Sequence, residues 1–322
     1  MSAPLITIVE NEIPVVASSD DNYAVPLGVM FISLLENTAN PERFSLFIID
    51  GGISDVKKTA LTHDIEKRGA SLQFLNVNSD LYADFPTCAH ISAPAYYRIS
   101  IPELFDKSVS KVIYLDCDLI IKDDIQQLWE TPLDDHFIAA VENISNSTYK
   151  KSGLQQSDYF NSGVMVLNLD LWRKHSIADQ VREFKLAHPE LICTNDQCAL
   201  NGVFKGQWKR LPLRWNQQSG LYRNSSQVQR FDTAGQWSTA VWSPGIIHYI
   251  GWSKPWLRPC YHPLEGEFRR YDAMASLSAM GKISRGSQTS LLRPREFISL
   301  MKKRHRQTKW QTKYKKKGLV LY

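Results

Sequence analysis

The apolar positions of this chain fall into two kinds of segment. Short unbroken runs, IPVVASS (residues 13–19), RFSLFIIDGG (43–52), SLQFLNV (71–77) and KVIYLDCDLII (111–121), show little polar alternation. Strands buried on both faces of a parallel sheet have that character. Between them lie segments with helical spacing: YAVPLGVMFISLLENTA (23–39), SDVKKTALTHDIEKRGA (54–70), which opens on a serine cap, and PAYYRISIPELF (94–105). Strand and helix in alternation predict βαβ units and a parallel sheet, which takes ligands at the carboxyl ends of its strands. Further on, HFIAAVEN (136–143) and GVMVLNLDLW (163–172) read as strands, and LWRKHSIADQVREFKLA (171–187) and NDQCALNGVF (195–204) as helices. GQWKRLPLRWNQQSG (206–220) and PGIIHYIGWSKPW (244–256) read as strand and loop.

Two acids break the fourth run. On one strand Asp116 and Asp118 point to the same face while Cys117 points away. Paired carboxylates at a strand's end suit a hard divalent ion such as Mn²⁺ or Mg²⁺. A lone D-x-D is a common chance pattern, and one acid could instead cap a turn. It also opens the haloacid-dehalogenase phosphatases, but there Thr or Val stands where this chain has Ile120, and the strand comes earlier. Asp20, Asp21, Asn22 and Tyr23 follow the first strand: an aspartate could accept from a nucleobase and the tyrosine could stack on it, or the group could cap a helix. His90, Tyr97 and Arg98 precede the D-x-D run, Asn161, Ser162 and Gly163 precede an apolar strand, and Asp196 and Gln197 open a helix. His248 offers an imidazole ligand, Gly251 a close backbone approach and Lys254 a charge for a diphosphate.

Taken in order, SSDDNY, IIDGGIS, HISAPAYYRI, VIYLDCDLII, YFNSGVMVLNL, TNDQCALNG and HYIGWSKPW resemble glycosyltransferase family 8, and within it the bacterial lipopolysaccharide and lipooligosaccharide α-galactosyl- and α-glucosyltransferases. The landmarks span residues 18 to 256. The resemblance implies an α/β GT-A fold, Rossmann-like with a mostly parallel sheet, and a UDP-sugar donor, UDP-galactose or UDP-glucose, used with Mn²⁺ or Mg²⁺. It implies a saccharide acceptor, lipid-linked in such relatives, and an α-linkage made with retention. By position Asp116, Asp118 and His248 would bind the metal, with Cys117 between the two acids. Asp20, Asp21, Asn22 and Tyr23 would meet the uridine, and Gly251 and Lys254 the diphosphate. His90, Arg98, Asn143, Asn161, Asp196 and Gln197 would surround the donor sugar, the last three at the reacting centre. Asn143, with Glu142 before it, stands where close relatives often have a carboxylate. Thr194 and Trp252 differ from the best-known galactosyltransferase on the acceptor side, so its acceptor is not carried over.

Charge adds a second part. The net charge is +5, yet from Arg293 to the end eleven Lys/Arg face one acid, a local +10, so residues 1–292 carry −5. A catalytic unit over 1–280, with its acceptor side in 190–260, is thus expected to precede a basic, helical, aromatic tail over 281–322. Lys and Arg interleaved there with Phe297, Ile298, Met301, Trp310 and Tyr314 suit an anionic membrane surface. No nucleic-acid motif accompanies the charge. Five scattered cysteines without C-x-x-C spacing argue for reduced thiols. No run is long enough to span a bilayer, and no base precedes Arg43 as a secretory signal would require. The expected place is the cytoplasmic face of the inner membrane. The other readings are a metal-dependent phosphatase or nucleotidyltransferase and a non-catalytic sugar-nucleotide binder.

Overall fold

The first three apolar runs become strands where the pattern places them: β1 (Ile13–Ser19), β2 (Phe44–Asp50) and β3 (Ser71–Leu75). The computed structural model describes residues 5–85, 93–144, 148–192, 195–222, 231, 235–251, 253–257, 260 and 262–281. His90, Thr194, Trp252 and the basic tail from residue 282 lie outside the described residues.

Seven strands form the main sheet. Added to the first three are β4 (Lys111–Leu115), β6 (Ile138–Glu142), β7 (Phe160–Asn168) and β8 (Lys209–Arg210), in the order β3-β2-β1-β4-β7-β6-β8. Among the described residues of this sheet, only the two ladders made by β7 are antiparallel; the rest are parallel. The fold is the mostly parallel α/β architecture that the strand–helix alternation predicts. Successive residues explain the missing alternation: Val15 and Ala17 face one core with Leu46, Ile48 and Ile113, while Val16 faces another with Phe47, Ile49 and Val112. Both faces are covered, so each position of β1 is apolar or small.

The fourth run departs from expectation. It is two strands, because β4 ends at Leu115, residues 116–118 turn, and β5 (Leu119–Ile121) enters a second sheet. That sheet has the order β5-β10-β9, with β9 at Gln217–Gln218 and β10 at Ile246–His248. Hydrophobicity cannot reveal the break, since Ile113, Leu115, Leu119, Ile120 and Ile121 are all fully buried. Helix α1 (Ala24–Glu36) lies between the sheets. Leu27 and Phe31 pack in the core of the main sheet, and Val29 and Ile32 pack with Ile120, Ile247 and Tyr249. A helix buried on nearly every side must be apolar all round. Ser33 is its exception and is satisfied: its hydroxyl donates to the Met30 carbonyl at 2.6 Å and accepts the Ile121 N–H at 2.9 Å.

Two helical expectations also change. Residues 94–105 form a 3₁₀ helix over Ala93–Ser100 and one α-turn over Ile101–Leu104. The stretch 171–187 divides into Leu169–Lys174 and Ile177–Ala187, because Ser176 takes a left-handed conformation with φ 47°. Helix α2 (Asp55–Glu66) receives the last described helix, Ser276–Gly281. Buried Asp64 accepts from both the backbone N–H and the hydroxyl of Ser276, each at 2.7 Å. Among the described residues no helix is long and apolar enough to cross a membrane.

Candidate active site

The predicted site residues gather along one rim of the main sheet. Asp20 to Tyr23 follow β1, the Asp116–Asp118 turn follows β4, Asn143 follows β6, and Asn161 to Gly163 open the antiparallel β7. The β6–β7 register shifts between Ala140 and Val141, where partners jump from Met165 to Asn161. This bulge lifts residues 162–164 out of the β6 ladder, the kind of irregularity that re-aims side chains beside active sites.

Asp116, Asp118 and His248 converge, each offering a ligand atom within 4.8 Å of the others. His248 Nε2 stands 3.1 Å from Asp118 Oδ1 and 3.9 Å from Asp116 Oδ2. Two ligands held at right angles about 2.1 Å from an ion lie about 3 Å apart, which the His248–Asp118 pair matches, while the 3.9 Å to Asp116 is wider. The other carboxylate oxygens are held from behind. Asp116 Oδ1 accepts from Tyr114 Oη at 3.1 Å and from Arg98 Nη2 at 2.8 Å. Asp118 Oδ2 accepts from Lys254 Nζ, which also donates to the Tyr249 carbonyl at 2.7 Å. Burial alone would raise the Asp118 pKa, but Lys254 and His248 outweigh it and hold the carboxyl well below its usual range. The acids share a side because the chain turns between them. Cys117 points back, its thiol donating to the Ser18 carbonyl at 3.1 Å, and burial raises its pKa, so it stays a neutral thiol.

Gly163 makes this convergence possible. A Cβ there would lie 2.4 Å from His248 Cε1 and 2.6 Å from Asp116 Oδ2. Any side chain would occupy the space of two of the three candidate ligands.

Arg98 is a buried bridge. Its Nη1 lies 3.3 Å from Asp196 Oδ2 and donates to the Ser162 carbonyl at 3.0 Å, while Nε donates to the Ala95 carbonyl at 2.9 Å. Its guanidinium stacks 4.3 Å from the Tyr114 ring centroid. Burial would lower its pKa, but Asp116 and Asp196 outweigh that and keep the group charged. Asp196, which also accepts from Ser162 Oγ at 3.0 Å, is pushed up to about 6 by burial, against the pull of Arg98.

Asn161 is a hub. Its Oδ1 accepts the Gly163 N–H at 3.1 Å and Asn216 Nδ2 at 2.8 Å. Its Nδ2 donates to Gln197 Oε1 at 3.1 Å and Asn143 Oδ1 at 3.4 Å. An asparagine amide has two acceptor and two donor positions, and all four are used. Gln218 holds the strand that carries Asn143, donating to the Glu142 carbonyl and accepting the Ile144 N–H, both at 2.8 Å.

On the other flank, Asp20 caps the turn after β1, its Oδ1 accepting the N–H groups of Asn22 and Tyr23 at 2.9 and 3.1 Å. Asp21 reaches across to α2, accepting from the Ser54 N–H at 3.0 Å and from Lys57 Nζ at 2.5 Å. The Tyr23 ring meets Trp256 edge-on at 5.8 Å, and its hydroxyl is raised to about 12 by burial and by Asp118. Gly251 takes φ +81°, a conformation glycine adopts without strain, and a Cβ there would meet nothing.

The sequence profile of "Glycosyl transferase family 8" matches residues 14–260, most of the chain. The chain belongs to glycosyl transferase family 8. Among its relatives, General stress protein A of Bacillus subtilis is 35% identical over 83% of this chain and 95% of that protein. Lipopolysaccharide 1,2-glucosyltransferase of Escherichia coli K12 is 25% identical over 76% of this chain and 72% of that protein. The crystal structure of galactosyltransferase LgtC with donor and acceptor sugar analogues superposes with a TM-score of 0.72 at 28% identity, covering 82% of this chain and 96% of that one. The expected family and the GT-A type of fold are both borne out. Two features of this site had no sequence signal of their own: the steric demand at Gly163 and the part played by Asn216. Asn216 sits in RWNQQSG, part of the stretch that reads as strand and loop with no candidate chemistry, and Asn216, Gln217 and Gln218 are fully buried.

Proposed function

We propose that this family 8 chain is a retaining hexosyltransferase that moves galactose or glucose from a UDP-sugar to a saccharide acceptor with Mn²⁺. The Asp116–Asp118–His248 cluster carries the reading: three convergent ligand atoms beside a lysine, at the strand ends where open α/β sheets take nucleotides. Relatives named as a glucosyltransferase and a galactosyltransferase support the two hexoses, and the lipopolysaccharide relative supports a cell-envelope acceptor. A mixed carboxylate and imidazole set suits Mn²⁺ better than Mg²⁺. When bound, the ion supplies positive charge where the departing diphosphate develops negative charge.

The chain's own groups divide the remaining work. Tyr23 offers its ring to the uracil, and Asn22 with the carboxylate of Asp20 offers polar contacts. Lys254 lies close enough to Asp118 to share its charge with a diphosphate, and Gly251 lets backbone approach it. Asp196 and Gln197 face the sugar, with Asn161 and Arg98 orienting them through the contacts already described. Gln197 is an amide and a poor nucleophile, which favours attack by the acceptor on the face the diphosphate leaves. The basic tail is proposed to hold the enzyme on an anionic membrane. Its removal at residue 290 should abolish cosedimentation with phosphatidylglycerol vesicles at low salt, and unchanged binding would refute that role.

The deciding assay measures UDP release from UDP-galactose and UDP-glucose. Release is expected from at least one of them, stopping with chelator and returning with Mn²⁺. Phosphate release from generic phosphoesters with intact UDP-sugars would favour a phosphatase. UDP binding without turnover, even with cell-envelope saccharides, would favour a binding protein.

A further inference from the structure

A continuous chain of side-chain amides runs through the site, and its polarity is set by the backbone. The Gly163 N–H donates to Asn161 Oδ1 at 3.1 Å, which fixes that atom as the oxygen. The Asn216 atom 2.8 Å from Asn161 Oδ1 must then be the donor Nδ2, so Asn216 turns its oxygen to His248 Nδ1, also at 2.8 Å. An amide oxygen cannot donate, so His248 carries its proton on Nδ1. That leaves Nε2, the ring nitrogen facing Asp116 and Asp118, as the one able to ligate a cation.

The other end is fixed in the same way. The Ser162 N–H donates to Gln197 Oε1 at 3.2 Å, and Asn161 Nδ2 donates to the same oxygen at 3.1 Å. The oxygen of Gln197 is engaged twice, and the chain ends on its Nε2 amino group. All four members, Gln197, Asn161, Asn216 and His248, are at least nine-tenths buried, so water does not readily replace a lost contact.

We infer that Asn216 is a positioning residue that fixes the metal-binding tautomer of His248 and, through Asn161, presents the N–H groups of Gln197 rather than its oxygen to the sugar. This rests on the reading of the site as a metal-assisted glycosyltransferase. Neither end of the chain can reverse alone, because an amide flip at Asn161 or Asn216 would set oxygen against oxygen or nitrogen against nitrogen. Asn216 thereby couples the orientation of the metal ligand to that of the sugar-facing amide.

The two functions separate in Asn216→Asp, which keeps an acceptor for His248 Nδ1–H but cannot donate to Asn161. The readouts are Mn²⁺ affinity by titration calorimetry, kcat and KM for UDP release, and melting temperature. For Asn216→Asp, Mn²⁺ affinity should stay within about threefold of wild type while kcat falls about 10–100-fold, as for groups that orient a metal ligand's surroundings. For Asn216→Ala, Mn²⁺ affinity should also fall, by about tenfold or more. Parallel losses of affinity and kcat in both variants, tracking melting temperature, would overturn the inference, as would wild-type Mn²⁺ affinity in Asn216→Ala. If Asn216→Ala does not fold, the split in Asn216→Asp decides. If the wild-type protein releases no UDP, the glycosyltransferase reading fails, and the Mn²⁺ titrations still test the tautomer.

Discussion

Replacing Gly163 with alanine is expected to weaken Mn²⁺ binding about 10–100-fold and to lower UDP-sugar turnover at least as much, with the fold retained. The added methyl would sit 2.4 Å from His248 Cε1, 3.0 Å from His248 Nδ1 and 2.6 Å from Asp116 Oδ2. Carbon atoms pack at about 3.5–4.0 Å, so something must move by more than an ångström. The backbone of Gly163 resists movement, since its carbonyl accepts the Asp116 N–H at 2.8 Å and its N–H is held by Asn161. His248 is buried and tied to Asn216, and Asp116 is tied to Arg98 and Tyr114. The strain therefore falls on the ligands themselves. Overpacking of this kind costs about 1–3 kcal/mol, which a domain of this size can absorb. Mn²⁺ titration alongside far-UV circular dichroism separates the two effects. An alanine variant that binds Mn²⁺ as the wild type does would show that Asp116 and His248 are not joint ligands.

Local signals carried far along this chain where one run met one environment. IPVVASS became β1 residue for residue, because an unbroken small and apolar run next to a polar cap leaves little choice of ends. KVIYLDCDLII misled because its halves are equally buried in two different sheets, and burial leaves no mark of which sheet a residue joins. The acids between them were legible as an interruption of the apolar run even though the geometry was a turn. Asp116, Asp118 and His248 could be named from ordered landmarks, whereas the polarity of Asn161, Asn216 and Gln197 could not. Their relation depends on contacts across 36 and 55 positions, and on which atom of each amide faces a backbone N–H. Arg98 shows the same limit. Its residue type suggested a ligand contact, while its place between two carboxylates emerges only when β4 and the helix Asn195–Phe204 come together.

Replacing Arg98 with methionine should destabilise the protein by about 3–5 kcal/mol, the range for a buried ion pair stripped of one partner. Methionine keeps most of the length and the apolar contact with Tyr114, so the loss is mainly electrostatic. Asp196, with a side chain only 6% exposed, would lose its counter-ion. The deficit should depend on pH. Asp196 already has a folded pKa of about 6, above the unfolded value of 3.8. A carboxyl raised in this direction makes stability fall as pH rises between those two values, because the folded state binds more protons. Removing Arg98 takes away the group that opposes the rise, so the fall should extend to higher pH. The stability gap between variant and wild type should therefore be wider at pH 8 than at pH 5. Adding Asp196→Asn to Arg98→Met removes the orphaned charge, and the double variant should be more stable than Arg98→Met alone, though turnover stays low. Melting temperatures measure this directly: a drop on the order of 10 °C for Arg98→Met at pH 8 is expected. A gap that is independent of pH and unaffected by Asp196→Asn would mean that Arg98 acts through packing and its bonds to the Ser162 and Ala95 carbonyls, not through its charge.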